Sequence, residues 1–116
     1  VVVHLADAEQ AISDRMKRVI AEDNPALPAF DETLWAANLH YQEQSTGDAV
    51  KLIELTRRQM AAVLRKLPEA AFGRFGTHSV SGRRTLRDLI DAAISHLDHH
   101  MKFIHAKRIK MGKEMW

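Results

Sequence analysis

The sequence predicts an all-α protein built as an up-and-down helical bundle, and three observations carry that reading. Apolar residues recur every three or four positions through three long stretches. All three prolines fall between those stretches, never within them. Nowhere does the period-two alternation of a strand run for a useful length. At 116 residues the chain is expected to be one domain, 1–116, and with 46% hydrophobic residues it can form a core without covalent staples.

The first helix is predicted from about Val2 to Ala21, where Leu5, Ala8, Ile12, Met16, Val19 and Ile20 form one apolar stripe. No capping residue precedes it, so the sequence opens as if inside a helix. The stretch EDNPALPAFDE carries Pro25 and Pro28 and must be a loop. A helix of one or two turns is expected after it, with Asp31 as its N-cap. The second long helix begins at Ser45, which with Asp48 has capping-box spacing. Its expected buried stripe is Leu52, Thr56, Met60, Val63 and Leu67, and Pro68 marks its end. The stretch EAAFGRFGTHSVSGRR reads as a glycine-rich loop, whose glycines lack the spacing of a phosphate-binding loop. The third long helix runs from the Thr85/Asp88 capping box towards Gly112, with Lys107, Arg108 and Lys110 in its last turns.

Four of the seven histidines fall in that last helix, at positions 96, 99, 100 and 105. At 100° per residue, Leu86, Leu89, Ile90, Ala93, Leu97 and Ile104 cluster on one side, together with His100. His96 lies beside the stripe, one turn before His100. An i, i+4 pair sits about 6 Å apart along the axis on a shared face, and two imidazoles so placed can bind one metal ion. His96 with His99 is a weaker pair, and His105 and Asp98 point elsewhere. The plainer alternative makes His96 a hydrogen-bonded core imidazole and leaves His99 and His100 on a solvated flank. His4, at the edge of the first helix's stripe, favours the metal: it supplies a third imidazole from a distant part of the chain. Three nitrogen ligands leave coordination positions open for water or substrate. Glu9 lies 140° around the helix from His4 and is not expected to be a ligand. His40 is expected to be exposed, and His78 to brace its loop through hydrogen bonds to backbone. Trp35 and Phe103 could wall a pocket, although core packing accounts for each.

Composition removes other classes. Without cysteine there is no disulfide, thiolate metal site or cysteine nucleophile. A net charge of +2 is small, and the basic residues are scattered over several helix faces, so no nucleic-acid partner is expected. No apolar run approaches the length that crosses a bilayer, so a cytoplasmic location and no membrane partner are expected.

Taken in order, VVVHLADAE, IAEDNPALPAFDE, LTRRQMAAVLRKLPEAAFGRFGTHSVSGRRTLRDLI and HLDHHMKFI resemble the DinB-like superfamily, the YfiT-type metal-dependent proteins. The resemblance implies a four-helix bundle with a divalent metal (zinc, nickel or iron) on His4, His96 and His100. It also implies a metal-dependent thiol transferase or hydrolase, acting on a small-molecule substrate that could include a low-molecular-weight thiol, and a homodimer. The rival expectation is a non-catalytic metal-binding or dimerising bundle, favoured by the lack of an obvious acid or base beside the histidines. Two departures stand out. Family members often have Asp after the first histidine of HxxxH, where this chain has Leu97. They usually carry a helix before the HLADAE segment, which is expected to be missing here.

Overall fold

The computed structural model describes residues 2–96. Helix α1 (Val2–Ala21) is followed by a two-residue strand, β1 (Ala26–Leu27), and a short helix, α2 (Glu32–Asn38). Helix α3 (Thr46–Arg65) then leads through a 3₁₀ turn to a hairpin of β2 (Phe75–His78) and β3 (Gly82–Thr85). Helix α4 occupies residues 86–96. Helices α1, α2 and α3, the start of α4 and the breaks between them lie where periodicity and capping chemistry put them. His99, His100, His105, Asp98, Leu97, Phe103, Ile104 and the basic residues near Gly112 lie outside the described residues.

Each cap follows from its sequence. Asp31 Oδ1 accepts from the Leu34 amide at 3.0 Å, and Ser45 Oγ accepts from the Asp48 amide at 3.1 Å. Thr85 and Asp88 bond reciprocally, amide to side chain in both directions at 3.0 Å, and so start α4. The Thr85 amide foremost, and then its hydroxyl, hold the Asp88 carboxyl below the usual carboxylate range.

The expectation of an all-α protein needs correction, because a small three-stranded sheet with order β1-β2-β3 stands where a glycine-rich loop was expected. β1 runs parallel to β2, pairing Ala26 with Thr77 and Leu27 with His78. β2 and β3 are antiparallel, from Phe75 opposite Thr85 to His78 opposite Gly82. Strands of two and four residues are too short to show alternation. The three-residue turn Ser79–Ser81 closes on Gly82, whose φ of 77° suits glycine. At Gly76 a Cβ would lie 2.8 Å from the Pro25 carbonyl oxygen and 2.9 Å from Leu27, so the strands approach only because no side chain intervenes.

The main core gathers Met16 and Val19 of α1, Leu27 of β1, Met60 of α3 and Leu86, Leu89 and Ala93 of α4. A smaller cluster of Val3, Ala6 and Ala49 joins the other end of α1 to the start of α3. The stripe expected on α1 is buried or half-buried throughout. On α3 the expected stripe holds at Met60 and Leu67 and is half-buried at Thr56 and Val63, whereas Leu52 is exposed; Ala49, Ile53, Met60 and Leu64 face the core. At spacings of four, four, three and four, that face also includes Arg57. A polar residue in the middle of the true stripe is what conceals its phase in the sequence.

Candidate metal centre

The site is assembled by three helices and a tethered loop. His4 sits in the opening turns of α1, and His96 is presented by α4. Glu32 is the first residue of α2, immediately after its Asp31 cap. The proline loop that delivers α2 is pinned along its length. The Pro25 carbonyl accepts from the Thr77 amide at 2.9 Å. The Pro28 carbonyl accepts from Arg15 at 3.0 Å, and the Ala29 amide donates to Ser79 Oγ at 3.2 Å. The small sheet therefore fixes the loop, and the loop fixes Glu32.

His4 and His96 meet edge to face, with ring centroids 5.5 Å apart and planes at 71°. His4 Nε2 lies 3.9 Å from Glu32 Oε1. One ligand atom from each of His4, Glu32 and His96 falls within 4.8 Å of the others. Two imidazoles and a carboxylate suit zinc, nickel or iron rather than the all-oxygen shells preferred by calcium and magnesium. The His4 side chain is 17% exposed and that of Glu32 61%, so the cluster is rooted in the fold and opens on solvent. The donor set thus fits a divalent ion with room left for a further ligand.

Behind the cluster lies a buried ion pair. Arg57 donates through Nε and a terminal nitrogen to the two oxygens of Glu9, both at 2.6 Å. The same terminal nitrogen donates to the Ala93 carbonyl at 3.0 Å. Glu9 is on α1, Arg57 on α3 and Ala93 three residues before His96, so this one guanidinium ties all three long helices together close to the site. On the other side, the Tyr41 hydroxyl donates to Asp7 at 2.5 Å, fastening the segment after α2 to α1. Desolvation foremost, then the bond to Asp7 and the charges of Asp7 and Glu32, push the Tyr41 phenol well above its ordinary value.

A cleft of about 410 Å³ adjoins the cluster, with Glu32 and His96 in its wall. His78, Arg15 and Arg84 also line it. His78 Nδ1 accepts from the amides of Val80 at 3.1 Å and Ser81 at 3.2 Å, the bracing role expected for it. Burial first, then the charges of Arg15 and Arg84, lower its basicity.

The structure thus brings together His4 and His96, the two predicted ligands among the described residues; His100 lies outside them. His40 is exposed at a left-handed position, and Trp35 packs on Phe30 with centroids 4.7 Å apart. Glu9 is engaged with Arg57, away from the ligand cluster, in keeping with its position on α1. Sequence reasoning missed Glu32, a carboxylate placed to join the two histidines as a candidate ligand. Its signal was faint: a carboxylate just inside a capped helix, after a loop too irregular to place by periodicity.

Helical packing thus surrounds a His/Glu cluster that could hold a metal ion, with an open cleft beside it. The DinB superfamily profile matches residues 1–104, and the chain belongs to that superfamily. It is 30% identical over 104 residues to a "putative metal-dependent hydrolase" of Oceanobacillus iheyensis, covering 90% of this chain and 60% of that protein. It is 26% identical over 113 residues to the Bacillus subtilis protein YfiT, also named a "putative metal-dependent hydrolase", covering 97% of this chain and 64% of YfiT. The solved structure of YfiT superposes with a TM-score of 0.90 over 97% of this chain and 66% of that one. It is described as a "probable metal-dependent hydrolase with an unusual four-helix bundle topology". The chain therefore spans about 60% of the length of the curated relatives it matches. The four-helix-bundle expectation stands, with the sheet as its amendment.

Proposed function

We propose that this chain carries a divalent-metal-dependent hydrolytic centre in which His4, Glu32 and His96 hold the ion, with His100 as a further ligand. The observation that carries the reading is the convergence of ligand atoms from three separate elements within 4.8 Å, at the edge of an open cleft. A bound divalent ion would supply Lewis acidity and lower the pKa of a coordinated water towards neutrality. The chain's own contribution is placement. Asp31 and the tethered proline loop hold Glu32 in position, and the Arg57–Glu9 pair holds α4 against α1. The relatives' names support hydrolysis rather than another metal-dependent reaction.

A second reading uses the same centre with a low-molecular-weight thiol in place of water, joining it to an electrophilic small molecule. The size of the cleft favours it, since 410 Å³ leaves space for a small organic co-substrate. One experiment addresses both. Purified protein stripped with chelator and reloaded with zinc, nickel or ferrous ion is assayed against a panel of activated esters and amides. In parallel it is assayed for conjugation of a small thiol to a fluorogenic electrophile. Metal-restored hydrolysis that disappears in His96→Ala supports the first reading, and metal-restored conjugation alone supports the second. Activity indifferent to chelation and to His96→Ala would refute both.

A further inference from the structure

The cleft beside the cluster is lined by charges of both signs, Arg15 and Arg84 against Glu32 and Asp88. Two cations line it, Arg15 from α1 and Arg84 from β3, and both charges bear on His78, which faces the same space. Neither arginine is in an ion pair with a carboxylate among the described residues. Arg15 donates to the Pro28 carbonyl and Arg84 Nε to Ser81 Oγ at 3.0 Å, both neutral oxygens. Of the nearby acids, Asp14 accepts from Arg18 at 2.8 Å, and Asp88, which lines the same cleft, accepts from the Thr85 amide and feels the Arg84 charge without a direct ion pair to it. A guanidinium has five N–H donors in a planar fork, so each arginine keeps donors to offer. The ring of His78 accepts two amides at Nδ1, which places its remaining proton on Nε2 as another donor. Burial lowers the affinity of the Arg15 guanidinium for its proton, a sign of partial desolvation, and partly desolvated charges bind opposite charges more strongly than those in bulk water.

We infer that the cleft selects small-molecule substrates bearing a carboxylate or phosphate oxyanion, gripped by Arg15 and Arg84 while the reacting group lies at the His4–Glu32–His96 cluster. The inference rests on the metal-centre reading for the reacting end only. The two carboxylates of the cleft, Glu32 and Asp88, balance its two arginines, and a divalent cation held at the cluster would leave it net positive. The anion is thus a handle remote from the reaction, whose binding energy serves orientation.

The test has two arms. In the first, metal-free protein is titrated with inorganic phosphate while the His78 ring resonances are followed by NMR. A saturable shift is expected in the wild type, and its loss in Arg15→Gln/Arg84→Gln. In the second, zinc-loaded protein is titrated calorimetrically with succinohydroxamate and with butyrohydroxamate, which share a metal-binding head and differ in tail charge. The anionic tail is expected to bind at least ~10-fold tighter. That advantage should shrink towards unity in Arg84→Gln and in 0.5 M salt, with butyrohydroxamate affinity unchanged. Equal affinity for the two hydroxamates, or a preference that survives both arginine substitutions, overturns the inference. So does a His78 shift that is absent or indifferent to them. Failure to bind zinc with the phosphate shift intact overturns the metal reading alone.

Discussion

Replacing Arg57 by Met tests the link between packing and site most sharply. The substitution deletes both 2.6 Å bonds to Glu9 and the 3.0 Å bond to the Ala93 carbonyl, while keeping most of the stem's volume. It leaves Glu9, 6% exposed, as a carboxylate with no counter-charge. Removing one partner of a buried pair costs about 3–5 kcal/mol, chiefly through the ion left behind. Arg57 is 33% exposed, so water can reach part of the vacated space, and a discounted cost of about 2–4 kcal/mol is expected. At a urea m-value of roughly 1.5 kcal/mol/M this is a midpoint shift of about 1.3–2.7 M. The double variant Glu9→Leu/Arg57→Met removes both charges and should recover most of the loss, because apolar replacements of buried pairs are often neutral or better. Equilibrium urea unfolding followed by circular dichroism, with chelator present so that metal linkage does not contribute, reads both numbers. A loss below about 1 kcal/mol for Arg57→Met, or a double variant as unstable as the single, would refute the view that this pair is a closed buried unit.

Other consequences are open to simple measurement. Gly76→Ala forces a Cβ to within 2.8 Å of the Pro25 carbonyl oxygen and should cost about 1–3 kcal/mol, seen as a fall of at least ~4 °C in Tm; an unchanged Tm would mean the strands can separate freely. Tyr41, whose phenol is pushed up in the fold, contributes stability that is full below its unfolded value near pH 10 and is lost as pH rises beyond it. Wild type should therefore lose stability more steeply than Tyr41→Phe between about pH 9.5 and 11; parallel profiles would show that the Asp7 bond does not matter. His78, with its basicity lowered in the fold, contributes stability present above about pH 6.5 and lost as pH falls below it. Unfolding profiles from pH 7.5 to 5 should thus be flatter for His78→Asn, which can still accept the turn amides, and identical slopes would argue against that linkage.

Much of this molecule is written in local patterns. The bounds of α1 and α3, the Asp31, Ser45 and Thr85 caps and the turn-bracing His78 each depend on residues within a few positions of one another, and each was legible. What escaped depends on contacts between distant segments. The sheet joins Ala26–Leu27 to residues fifty positions later through strands too brief to alternate. The α3 stripe was legible only in part because Arg57 occupies its centre, and a half-buried arginine reads as a surface residue until its partner Glu9 is seen across the helix interface. Glu32 was missed for the same reason: no spacing relates it to His4 or His96, and only the tethering of the proline loop brings it there. His4 and His96 were legible because each sits at the edge of an apolar helical face, where periodicity fixes direction. The candidate ligands legible in the sequence were thus those on long helices, and the one missed was delivered by a loop.

The account stands or falls on whether His4, Glu32 and His96 act as one metal site. Titration of chelator-treated protein with cobalt(II), read by its visible absorption and by calorimetry, addresses this directly. One ion per chain is predicted for the wild type, with affinity falling by about 100-fold or more in His4→Ala and His96→Ala, and by at least ~10-fold in Glu32→Gln. Affinity in His4→Ala equal to that of the wild type would contradict it, because His4 is the residue that joins the α1 end of the bundle to the other two.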